Sequence, residues 1–162
     1  MSLPGRSALS RIFPARIDNH YRGHILALWL FVPVALQRVA LSLTHLLRSD
    51  GGAQSISTIP LDTYPTSAAQ NVIGLFARMG LEQLLFGFLC LLVLLRYRAL
   101  IPLMYLLIVV HYLASRLVGQ VKPLVLAGNS GARTPMLVIA MLCAVGLVLS
   151  LLGPGYREGR SA

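Results

Sequence analysis

Charge is what this chain has least of. Of its 162 residues only 12% are charged and five are acidic, against about 25% charged residues in a soluble domain. That shortage excludes an ordinary cytosolic domain and a disordered chain. Cysteine is scarce too: Cys90 and Cys143 both lie inside apolar blocks, with no CxxC and no Cys/His spacing for zinc. They read as small buried hydrophobes rather than a disulfide. No GxSxG, P-loop, HExxH or GxGxxG occurs, so no catalytic set can be assigned and no enzyme is expected. No run of five or six basic residues occurs and no internal repeat, so a nucleic-acid partner is not expected.

What is present is apolar. Hydrophobic residues make up 56% of the chain and the mean hydropathy is +0.74. They sit in four long blocks, and a span needs about 20 apolar residues. Spans are therefore predicted at about 25–47, 68–95, 99–118 and 135–152. The fold class is all-α, an integral membrane bundle of four antiparallel transmembrane helices whose partner is first of all the lipid bilayer. A basic segment (1–24) precedes the bundle and a basic tail (153–162) follows it. The first span is expected to stay uncleaved, because the polar stretch before it is long and no small-residue cleavage site follows.

Local signals set expected boundaries. Asp18 or Asn19 could N-cap the first helix, and Ser67 with Gln70 has capping-box spacing for the second. Pro102 suits a first turn, Gly119 a helix end, and Thr134-Pro135 a helix start, while Gly153-Pro154-Gly155 closes the fourth span. The segment 48–67, rich in Gly, Pro and Ser, reads as an irregular loop, with Asp50 and Asp62 as turn and cap residues.

Basic residues orient the bundle. Arg6, Arg11, Arg16, Arg22, Arg96, Arg98, Arg157 and Arg160 fall on one side, and Arg48, Lys122, Arg133 and Arg116 on the other. The excess favours both termini in the cytoplasm, with Trp29 and Tyr97 near the inner interface.

Ionisable residues inside spans are costly and each needs a reason. The candidates are Arg38 in the first span, Arg78 and Glu82 in the second, and His111 and Arg116 in the third. Their depths place them in the outer half of the bundle. Arg78 and Glu82 share a helix face, as do Arg38, Ser42 and His45. One reading is a buried ion pair of Glu82 with Arg38 or Arg78, in which case Glu82→Gln should destabilise by stranding an arginine. The other is a polar pocket for a lipid headgroup, a quinone or a small anion. Haem is not expected, because the only outer-side partner for His111 is His45, placed at the rim.

The stretch 80–100, GLEQLLFGFLCLLVLLRYRAL, resembles the second span of DoxX-like membrane proteins, with Glu82, Gly87 and Arg98-Ala99 at the matching places. The resemblance implies a small four-helix bundle of a bacterial inner membrane, sometimes an accessory subunit of quinone-linked oxidoreductases. The whole chain is also similar to a group of small bacterial membrane proteins that carries no implied activity. The leading expectation is a non-catalytic accessory or assembly subunit of a larger membrane complex. In it, Ala140, Ala144 and Gly146 would let a partner helix or a second copy approach the charge-free fourth span. The alternatives are a DoxX-like protein holding a quinone or lipid headgroup near Arg38, Glu82 and His111, and a small transporter with Glu82 as proton carrier.

Overall fold

The computed structural model describes residues 8–131 and 133–152, so Arg6, Arg157, Arg160, Gly153-Pro154-Gly155 and the tail lie outside the described residues. It is helical throughout its ordered elements: α1 (Ala8–Ile12), α2 (Ile25–Leu47), α3 (Thr66–Arg96), α4 (Ile101–Val121) and α5 (Arg133–Leu151). The last four are long and apolar enough to cross a membrane.

The helix ends differ from the sequence reading in instructive ways. His24, not Asp18 or Asn19, caps α2: its Nδ1 accepts from the Leu26 N–H at 3.2 Å. Asp18 is occupied elsewhere, taking a bidentate bond from Arg22 at 3.0 and 2.5 Å. The Arg22 hydrogen bonds hold the Asp18 carboxyl below the usual carboxylate range, although burial opposes them. α3 starts one residue before Ser67, behind Pro65, and no side chain caps it, so the capping box does not form. Gly119 lies within α4, which runs on to Val121, and Thr134 lies within α5. Pro102 sits in the first turn of α4, as its missing donor predicts.

Lipid tails are as apolar as leucine, so helices in a membrane associate through close packing rather than through burial of oily surface. The sequence supplies small residues at the contacts. On α3, Gly80 lies against Ser42 and His45 while Gly87 lies against Val39 and Arg38. Rising numbers on α3 thus go with falling numbers on α2. On α5, Ala140, Cys143, Gly146 and Ser150 form the buried face. Ala140 and Gly146 are therefore consumed inside the bundle, contrary to the expectation that they await a partner, and only Ala144 of that set is exposed. The core between α2, α4 and α5 centres on Tyr105. Its ring meets Phe31 edge-on at 5.1 Å, lies on Gly146, and donates its hydroxyl to the Ala27 carbonyl at 2.7 Å. Cys90 and Cys143 are buried and free.

Around the bundle the packed neighbours run α3, α2, α5, α4, whereas α3 and α4 scarcely touch. The ring therefore has one open seam. Elsewhere, at the N-terminal end of α2, the backbone ties elements together: His24 N–H donates to the Leu149 carbonyl of α5 and Ala99 N–H to the Asp18 carbonyl, both at 3.2 Å.

At the other end the segment after α2 is not the irregular loop that its composition predicts. Ala53, Ile59 and Leu61 form a small core with Val72, Ile73 and Phe76 of α3. Gly51 and Gly52 take positive φ (60° and 76°), which lets the chain turn back at once over the end of α2. The His45 Nδ1 then meets the Gly51 carbonyl at 2.7 Å. Asp50 holds the turn by accepting from the Gly52 and Ser55 N–H groups at 2.9 and 2.6 Å. The second loop joins the first: Ala127 N–H donates to the Thr58 carbonyl, and Gly131 N–H to the Ile56 carbonyl.

Burial raises the Asp50 carboxyl, but the hydrogen bonds from Ser55 and Gly52 outweigh it and bring it down to about 2. A depressed folded value means that the stabilisation is complete above the unfolded pKa near 4 and disappears as pH falls toward 2. Loop protection in hydrogen exchange should therefore weaken between about pH 4 and pH 2. Asp50→Ala should weaken it at neutral pH, at a cost of about 1–2 kcal/mol.

Candidate functional site

Charged side chains within a span mark where to look, and the structure separates the five candidates. Gly80 stands level with His45, two residues from the end of α2. The first three turns of α3 thus project beyond the end of α2 and carry the loop core, and Arg78 stands level with Leu47, at the edge of this projecting part. Arg78 is exposed, and so are Glu82 and Arg116. Among the described residues the ion pairs are those of Asp18 with Arg22 and His20, so the Glu82–arginine pair considered from sequence is not formed. Glu82→Gln should consequently not lower thermal stability, because it strands no arginine. A melting curve in detergent checks this, and a large drop would restore the buried pair.

Arg38 and His111 do come together. They line a small open cleft, with Gln37, Gln83 and Tyr112 as the further polar residues and Leu41, Ile108 and Ile139 among its walls. All four spans contribute. Arg38 reaches it from α2, about 13 Å from the helix end at Leu47. Its guanidinium packs over the Phe86 ring at 5.6 Å, a cation–π contact, and its buried Nε has no hydrogen-bond partner. His111 and Met136 are exposed members of the lining and stand at its mouth.

His45 lies at the rim, two residues from the end of α2, and is buried there at 5% exposure. It is held by the Gly51 carbonyl and by an edge contact to Phe76, on the α2–α3 side. The two outer histidines therefore serve different surfaces. Among the described residues no three His, Cys, Asp or Glu side chains gather as a metal site would require.

Gln37, Gln83 and Tyr112 were not among the site candidates read from the sequence, although Tyr112 shares a helical stripe with Arg116 beside His111. Gln37 adjoins Arg38, and Gln83 follows Glu82 by one position, so it turns about 100° away from it on the helix. An amide costs less than a charge inside a span and gives a correspondingly weaker signal.

No family model matches the chain, and neither the curated proteins nor the solved structures contain a match.

Proposed function

We propose that this is an integral membrane protein that binds a lipid-soluble molecule by its polar head in the Arg38 cleft. One observation carries the reading: a guanidinium far from either helix end, in an open cleft, with no carboxylate beside it. Intramembrane charge is retained where it serves a ligand or a pathway. Amides, a phenol and a histidine around it supply oriented polar contacts, and the apolar walls suit a chain or ring. A lipid headgroup and a quinone both meet this description, and the DoxX-like resemblance favours the quinone. Purification from native membranes in mild detergent, followed by mass spectrometry of the organic extract, tests it. A stoichiometric amphiphile that is lost in Arg38→Gln supports the proposal, and a clean extract from well-folded protein overturns it.

A second reading, the accessory or assembly subunit, is favoured by a different feature. Residues 113–129 are all exposed, as are 133–138, so the outer halves of α4 and α5 lie bare. Leu113, Leu117, Val118 and Val121 there are 55–80% exposed. A partner helix seated on them would co-purify.

Both readings place the protein in a bacterial inner membrane with the termini in the cytoplasm. Cysteine at Ser55 should then react with an impermeant maleimide from outside and cysteine at Ala15 should not, against a low background because both native cysteines are buried. The reverse pattern would invert the topology.

A further inference from the structure

We infer that the cleft takes an anionic amphiphile with a single small head, a carboxylate or a monoester phosphate on an apolar chain, in preference to a neutral quinone or a zwitterionic lipid. The inference rests on the cleft being the ligand site. The lining contains one arginine and no aspartate or glutamate. Glu82, the nearest acidic residue in sequence to the α3 lining, is exposed and outside the cleft, and Arg38 has no ion-pair partner among the described residues. An uncompensated cation in a low-dielectric site is stabilised most by a formal negative charge. A quinone carbonyl accepts a hydrogen bond but leaves that charge unneutralised.

The remaining polar groups fit an anion as well. Gln37 and Gln83 provide amide N–H donors and Tyr112 a hydroxyl, enough to satisfy lone pairs that the guanidinium does not reach. An ammonium on a zwitterionic headgroup would find no carboxylate. Depth argues for a compact head too, since Arg38 lies about 13 Å from the outer end of α2 and a bulky polar head would have to be drawn below the surface with it. The apolar chain leaves between α3 and α4, the one pair of neighbouring spans that is not packed together. The entry route is therefore lateral, from the bilayer.

The test uses the full chain in phosphatidylcholine nanodiscs, titrated with oleate, phosphatidic acid or decylubiquinone and read by native mass spectrometry. One oleate or one phosphatidic acid should bind per chain over the phosphatidylcholine background. Arg38→Gln should weaken that binding at least tenfold, and Gln83→Leu, which spares the charge, severalfold. Arg78→Gln, an exposed arginine outside the cleft, should leave it within twofold. Binding of oleate alone assigns a carboxylate, and of phosphatidic acid alone a phosphate; either upholds the inference. If decylubiquinone alone binds with dependence on Arg38, the cleft remains a ligand site and the anionic preference is overturned. If no probe binds with dependence on Arg38 or Gln83, the cleft is not the site and both conclusions fall.

Discussion

Gly146→Leu is expected to leave no folded protein, and Gly146→Ala to cost about 1–3 kcal/mol, the range for forcing extra atoms into a packed core. A Cβ at position 146 would fall on the Tyr105 ring, a neighbour with little room to yield. The ring is pinned on its other sides by the edge contact with Phe31 and by the hydroxyl bond to the Ala27 carbonyl. Moving it breaks contacts of α4 with α2 and with α5 at once. A double-mutant cycle isolates the cause. In a Tyr105→Leu background the ring is gone, so Gly146→Ala should cost less than half as much as in the wild-type chain. Melting temperatures in detergent measure both arms. Equal costs in the two backgrounds would mean that α5 does not meet Tyr105 at Gly146.

Long apolar blocks announce a membrane span through composition alone, because a continuous run of about 20 such residues has one economical arrangement in lipid. This is why helix α2 coincides with the first apolar block and the other three helices differ from theirs by one to three residues at each end. Three things were not legible. The first loop looked irregular because Gly, Pro and Ser dominate it, yet three apolar residues, Ala53, Ile59 and Leu61, suffice to fold it onto α3. That one end of α3 projects follows from its length, which exceeds the hydrocarbon core, but which end projects was hidden until Gly80 was seen level with His45, which leaves Arg78 at the edge of the bundle. Glu82 and Gln83 are adjacent in sequence, and nothing in the run of leucines around them says which one turns inward. Only the glycines at 80 and 87, once seen to face α2, fix the rotation of α3 that puts the amide in the cleft and the carboxylate outside. The role of Gly146 was misassigned for a related reason: a small residue permits close approach but does not name what approaches.

Arg38→Met should raise the melting temperature of the ligand-free protein while abolishing its response to ligand. Most substitutions of residues inside a bundle destabilise, so the sign is diagnostic. The guanidinium contributes a cation–π contact with Phe86, worth about 0.5–2 kcal/mol. Against that stands the cost of holding a charge near the middle of a span without a counter-ion, several kcal/mol after relaxation and partial hydration of the cleft. The second magnitude is larger. Methionine keeps most of the aliphatic stem and removes the desolvated head. A net gain on the order of 1–3 kcal/mol follows, as when buried charges in other proteins are exchanged for apolar side chains of similar volume. Ligand should reverse the ranking: an anion bound to the wild-type chain stabilises it by mass action, by about 2.7 kcal/mol at a hundredfold excess over Kd, and leaves the variant unmoved. Melting curves of both proteins, with and without oleate, give all four values. If the apo variant melts lower than wild type, Arg38 has a counter-charge or a structural water within the bundle, and its place is that of a packing residue. If it melts higher but both proteins respond equally to ligand, the charge is a burden that no ligand relieves, and the cleft has another use. The combination of a higher apo melting point and a lost response is the signature of a residue that costs the fold stability for the sake of what it binds.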